Sequence, residues 1–174
     1  RVAVPLPGYG VVFGALSQRI RLARPLGGDP LADATLVLEA IRDGHGYLAL
    51  DGVLAPPSFS FAAANGAGAA AQGDTLEVRG PLTLTVRTNA PASFRTTIWH
   101  DGEVLVDEPS SPELVHTDTE RPGVYRVEVR AADRPGRPVW FASNPIYVRP
   151  KAFPPVEQTR PAPPRARRVL FDAN

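Results

Sequence analysis

From Pro81 to Val148 the chain alternates between apolar and polar residues. Leu82, Leu84 and Val86 fall on one side with Thr83, Thr85 and Arg87 on the other, and Tyr125, Val127 and Val129 alternate with Arg126, Glu128 and Arg130. A period of two is the mark of strands that bury one face. Thr96-Thr97-Ile98-Trp99 and Val104-Leu105-Val106 flank Asp101-Gly102, a pair suited to the two positive φ angles of a tight hairpin. Pro109 to Pro122 reads as a polar connection that crosses between two sheets.

Before this region the periodicity differs. Gly8 to Leu16 suits a short helix, and Arg19-Ile20-Arg21-Leu22 alternates like a strand. Asp29-Pro30 offers an N-cap followed by proline at the first helical position. Leu31, Thr35, Leu38 and Ile41 then recur at helical spacing until Gly44, and Tyr47-Leu48-Ala49-Leu50 reads as a compact buried strand. A helix feeding an apolar strand is the unit of an α/β sheet or barrel, and one such unit cannot bury itself. The expectation is that residues 1–57 pack on strands preceding Arg1. Pro56-Pro57 marks a joint; Phe59 and Phe61 suit a strand, and the Ala/Gly-rich run from Ala62 to Gly73 reads as a mobile loop with a bend at Asn65-Gly66. Prolines and arginines after Lys151 describe an extended, solvated linker over residues 150–174.

Composition narrows the classes. The 174 residues are 43% hydrophobic and 21% charged, as in soluble globular proteins, and no apolar run approaches a membrane span. A net charge of +1 offers no argument for nucleic acid. The absence of cysteine removes disulfides, thiolate nucleophiles and Cys-type zinc sites. With no methionine and a start at Arg1, the chain is expected to be a piece of a longer protein, and its localisation stays open.

Gly123-Val124-Tyr125-Arg126-Val127 resembles the corner before strand F of immunoglobulin-like domains, where a tyrosine returns its hydroxyl to nearby backbone. Any glycine-initiated strand with an inward tyrosine is the alternative. A wider resemblance rests on the order of several segments. Pro25-Leu26-Gly27-Gly28-Asp29 precedes the helix, Ile41-Arg42-Asp43-Gly44-His45-Gly46-Tyr47 follows, and the sandwich closes on Gly123-Val124-Tyr125-Arg126-Val127-Glu128 and Ser143-Asn144-Pro145-Ile146-Tyr147-Val148. Over roughly residues 5–149 this resembles the C-terminal half of PHP-superfamily metallohydrolases, in the carbaryl-hydrolase-like branch of predicted metal-dependent phosphoesterases.

The resemblance implies a mainly β chain. An immunoglobulin-like antiparallel β-sandwich (58–149) would follow a short α/β segment (1–57), the end of a β/α barrel, and precede a Pro-rich tail. It also implies a parent that uses divalent metal ions (Mn, Zn or Fe), whose catalytic barrel is this chain's partner. The family's paired-histidine and Asp-x-His ligand motifs have no counterpart here, so the chain alone is expected to be inactive, with no catalytic, cofactor-binding or metal-ligating residue assigned. The competing expectation is a free-standing immunoglobulin-like module that binds glycan or protein.

The candidates weighed for chemistry are sparse. His45 follows the helix stop, His100 precedes the Asp101-Gly102 turn and His116 lies near Asp118, and no two share ligand spacing. Asp101, Glu103, Asp107 and Glu108 flank one hairpin, where a calcium site competes with an acidic edge that resists sheet aggregation. Gly27-Gly28 and Gly66-Ala67-Gly68 lack phosphate-loop context, and Ser17, Ser58, Ser93 and Ser143 lack a partnered base. Trp99 and Trp140 could form a ligand platform, with at least one expected in the core.

Overall fold

The computed structural model describes residues 16–51, 58–132 and 139–151. It is mainly β, with two sheets arranged as a sandwich and one helix among the described residues. One sheet holds β4(Gly68–Ala71), β3(Phe59–Asn65), β6(Leu82–Thr88) and β9(Glu113–Asp118), in that order. The other centres on β10(Gly123–Ala131). Along one side β10 pairs with β7(Phe94–His100), which pairs in turn with β8(Glu103–Pro109). Its other side is shared: the first half pairs with β12(Ile146–Arg149) and the second with β11(Val139–Ser143). The short β5(Thr75–Glu77) joins β12 in parallel.

The predicted alternation places the core. Leu82, Leu84 and Val86 from one sheet face Tyr125, Val127 and Val129 from the other, all essentially without solvent exposure. Phe59, Phe61, Phe94, Ile98, Trp140 and Phe141 fill the rest of the interior, with Trp140 stacked on Phe141 at a centroid distance of 4.2 Å. The hairpin between β7 and β8 turns at Asp101 (φ 49°) and Gly102 (φ 88°), the two positive values the sequence suggested.

Helix α1(Pro30–Arg42) begins and ends where its caps require. The Asp29 carboxylate accepts from the Leu31 and Ala32 amides at 3.0 Å each, satisfying donors that the first turn leaves free. At the other end Gly44 (φ 74°) donates to the Ile41 carbonyl, and the His45 amide donates to that of Ala40. These two bonds are the Schellman closure that a left-handed glycine permits.

Several expectations are corrected. The Ala62–Gly73 run is a hairpin, not a mobile loop: Ala63 pairs with Ala70, both facing the core, while Ala64 and Ala69 pair outside. Its alternation is real but invisible to hydropathy, because alanine occupies both faces. The Pro109–Pro122 connection contains β9, whose inner positions Leu114, His116 and Asp118 are too mixed in polarity to read as a strand. The first strand is β1(Leu16–Ile20), not Arg19–Leu22, so Leu16 lies in a strand. The rest of the expected Gly8–Leu16 helix lies outside the described residues, as does the tail beyond Lys151.

Residues 1–57 were expected to pack on strands preceding Arg1. In the described part of that segment β2(Gly46–Leu50) pairs antiparallel with β1 on one edge and with β11 on the other, Phe141 opposite Ala49. Strands of a β/α barrel pair in parallel. Strands β1 and β2 therefore belong to the same sheet as β10 and β11. Only part of β2 is buried: Ala49 is fully enclosed, whereas Leu48 points outward.

Candidate functional site

Three segments far apart in sequence meet at one end of the sheet. They are the exit of α1 (Asp43 to Gly46), the turn at Gly73-Asp74, and the Asn144-Pro145 break between β11 and β12. The Asn144 side chain donates to the Gly44 carbonyl at 2.8 Å, and its backbone amide donates to the Gly46 carbonyl at 3.2 Å. The Gly73 amide donates to the Pro145 carbonyl, and the Tyr147 amide to that of Asp74. Glycine is required at Gly73, with φ at 97° and an added Cβ only 2.5 Å from the Asp43 carbonyl oxygen. The interruption between β11 and β12 thus leaves backbone groups that bind the helix exit and the Gly73-Asp74 turn.

His45 and Asp74 face each other across this junction, with Nε2 2.8 Å from Oδ1. The second Asp74 oxygen accepts from the Ala71 amide at 2.8 Å, and the Arg21 guanidinium lies 3.9 Å away. Partial burial pushes the Asp74 carboxyl up, but the Ala71 amide, His45 and Arg21 outweigh it and hold it below the ordinary carboxylate range. Beside the pair opens a cleft of about 620 Å³ lined by Arg42, Asp43, His45, Thr75, Asn144 and Tyr147. His45, whose amide closes the helix end, is half-buried, and its side chain is partnered by Asp74. Sequence spacing could not have revealed this, since 29 residues separate the two side chains. The pair bridges two segments. Among the described residues no three His, Asp or Glu side chains are grouped to hold a metal ion.

The remaining candidates lie apart from this pair. His100 stacks on Tyr125 with centroids 4.6 Å apart, and its Nε2 lies 3.1 Å from the Pro122 carbonyl oxygen. His116 lies on β9 opposite Leu84. The hairpin acids are separated by their partners: Asp101 accepts from the Val124 amide, while Asp107 accepts from Arg95 and Thr97. Trp140 is core. Trp99 lies on the outer face of its sheet, with the Arg126 guanidinium 4.8 Å from its ring centroid. Next to it Glu128, nearly enclosed, is clamped by Arg126 and Arg130.

A corner network closes the same sheet. The Tyr125 hydroxyl donates toward the Arg121 carbonyl at 3.0 Å, the backbone return its sequence context suggested, and lies 3.1 Å from Asp118 Oδ2. Arg121 grips that carboxylate through Nε and Nη2. Burial raises the Asp118 carboxyl, and the combined bonds from Arg121, the Thr119 amide and Tyr125 bring it below its usual value. The Tyr125 phenol moves up, first through burial and then through the Asp118 charge.

The surface offers one further feature. Helix α1 buries Leu36 and Ala40, yet Leu31, Leu38 and Ile41 are 79%, 65% and 44% exposed. At 3.6 residues per turn Leu31 and Leu38 fall roughly opposite Ala40.

No known family model matches the chain, and no curated protein matches it. Among solved structures it is similar to the neutron crystallographic structure of a Jonesia denitrificans lytic polysaccharide monooxygenase, at 15% identity over 75% of this chain and 76% of that one, with a TM-score of 0.30.

Proposed function

We propose that this chain is the non-catalytic C-terminal accessory region of a metal-dependent, phosphoesterase-like hydrolase of the PHP superfamily, packed on that protein's catalytic barrel. The observation that carries the reading is α1, apolar on two opposite sides but covered on one. Exposed apolar surface of this kind marks an interface. The segments on which the family resemblance rests, Asp43 to Tyr47 and Ser143 to Tyr147, are also those that build the junction between helix and sandwich. In this reading α1 is the barrel-facing element, while β1 and β2 bind it to the sandwich. The divalent ions belong to the barrel, and this chain supplies no ligand to them.

We also infer that the sandwich is immunoglobulin-like. Supporting this are the β3-β6-β9 order in one sheet, the β8-β7-β10 order in the other, a β5 parallel to the last strand β12, and the Tyr125 hydroxyl returning to backbone four residues upstream.

The test compares the isolated chain with the full-length gene product in a chromogenic phosphodiester assay with manganese or zinc, and measures bound metal after dialysis. Metal and turnover are expected in the full-length protein and not in the isolated chain. A full-length protein without metal-dependent hydrolysis, or turnover by the isolated chain that His45→Ala abolishes, overturns the reading.

A further inference from the structure

Beside the junction three strands set a row of side chains across the outer face of the sheet. Tyr147 on β12 lies opposite Val124 on β10 at one side and opposite Thr75 on β5 at the other. Its chain neighbours Ile146 and Val148 are buried, so Tyr147 points away from the core. Tyr147 also borders two cavities. One is the cleft of about 620 Å³ beside His45 and Asp74, and the other, of about 400 Å³, is lined by Pro122, Val124 and Pro150. An aromatic residue standing between two depressions suits a ligand that is longer than one small ring.

The groups left over around Tyr147 are of mixed kind. The Tyr147 and Thr75 hydroxyls, the Asn144 side-chain oxygen and His45 Nδ1 have no hydrogen-bond partner among the described residues. The exposed side chains of Arg42 and Asp43 meet at 3.5 Å and keep further donors and acceptors open. Charges offset one another here, Arg42 against Asp43 and Arg21 against Asp74, so the site has no net field to select an anion or a cation. An extended peptide binds by adding a strand to open backbone groups. At this junction those groups are committed: the Asn144 amide to Gly46, the Gly73 amide to Pro145 and the Tyr147 amide to Asp74. What remains is side-chain donors and acceptors beside an aromatic ring. That is the complement of a sugar, with hydroxyls around its rim and C–H groups on its faces.

We propose that Tyr147 is the platform of a binding site for a neutral oligosaccharide. One sugar stacks on the Tyr147 ring with the Thr75 hydroxyl at its edge. The next lies in the larger cleft, where Arg42, Asp43 and the Asn144 side-chain oxygen meet its hydroxyls. The Arg149 guanidinium, 5.2 Å from the ring centroid, belongs to an exposed residue and yields its place on the ring to the sugar. The site uses only residues of this chain and does not rest on the accessory reading.

The test titrates the isotope-labelled 174-residue chain with cellohexaose, xylohexaose, mannohexaose and maltohexaose, and follows its backbone amide spectrum. Hexagalacturonate and an alanine–serine hexapeptide serve as the anionic and peptide alternatives. At least one neutral hexasaccharide is expected to shift the amides of Thr75, Asn144 and Tyr147 to saturation. Tyr147→Ala is expected to weaken that binding about tenfold, the worth of an aromatic contact. Thr75→Val should weaken it about threefold through the lost hydrogen bond. Tyr147→Phe keeps the ring and should retain most of the affinity, and amides remote from the cleft verify the fold of each variant.

No saturable shift with any neutral hexasaccharide at millimolar concentration overturns the proposal, as do shifts caused by hexagalacturonate or the peptide alone. Shifts clustered at Trp99 and Arg126, farther across the outer face, place the sugar elsewhere and overturn it too. So does a Tyr147→Ala variant that binds as well as the wild type. None of these outcomes bears on the phosphodiester assay of the full-length protein, so the two readings fail separately.

Discussion

Tyr125→Phe removes one oxygen from the corner and preserves everything else the ring does. The ring is fully buried and stacked against His100, contacts that phenylalanine keeps. Lost are the hydroxyl's bond to the Arg121 carbonyl and its approach to Asp118. The Asp118 carboxylate is not orphaned, because Arg121 and the Thr119 amide still bind it. The bond to the Arg121 carbonyl is only part-buried, so the acceptor left behind is not fully enclosed. The cost is therefore that of a net hydrogen bond with partial charge assistance, about 1–2 kcal/mol, rather than that of a buried unpaired group. For a domain of this size that corresponds to a melting temperature lower by roughly 3–6 °C. Tyr125→Ala, which also empties the ring's volume, should cost about 3–5 kcal/mol.

Urea titration followed by tryptophan fluorescence reads both variants, since Trp140 is enclosed in the core. Adding Asp118→Asn to each background completes a double-mutant cycle, in which a coupling energy near zero identifies the Arg121 carbonyl as the main acceptor. Superimposable curves for the wild type and Tyr125→Phe would refute the argument that the hydroxyl contributes to stability.

Acid should destabilise the fold. The Asp74, Asp118 and Glu128 carboxyls are all held below their ordinary values. Their stabilisation is complete above the unfolded values and is lost as pH falls through the folded ones, so urea midpoints should drop from about pH 4 downward, with a shallower drop in Asp118→Asn. Gly73→Ala meets the Asp43 carbonyl and a positive φ together and should cost about 3 kcal/mol, with faster amide exchange at Gly44 and Gly46; unchanged exchange counts against the junction. Ala63→Leu should overpack the space between the sheets at about 1–3 kcal/mol, and Ala64→Leu, on the outer face, should be nearly neutral. Equal effects at these two positions would contradict the hairpin.

Elements whose local chemistry and periodicity agree were legible in their own residues. Residues Leu82 to Thr88 and Tyr125 to Val129 alternate strongly enough that no register but the observed one buries their apolar set. Asp29, Pro30 and Gly44 bound the helix through short-range hydrogen bonds that need no partner from elsewhere, and Asp101-Gly102 closes its hairpin for the same reason. Where both faces of a strand carry the same residue, as in the alanine hairpin, periodicity has nothing to read. Where inner positions are polar, as at His116 and Asp118, the pattern points the wrong way. Nothing local indicates that β2 pairs with β11 or that His45 meets Asp74. Both depend on the break at Asn144-Pro145, where the Asn144 side chain donates to the Gly44 carbonyl, 100 residues earlier, and the Asn144 amide donates to that of Gly46. Contacts of that range are set by which sheet edge is left open after the core has formed, and no local window of sequence contains that information.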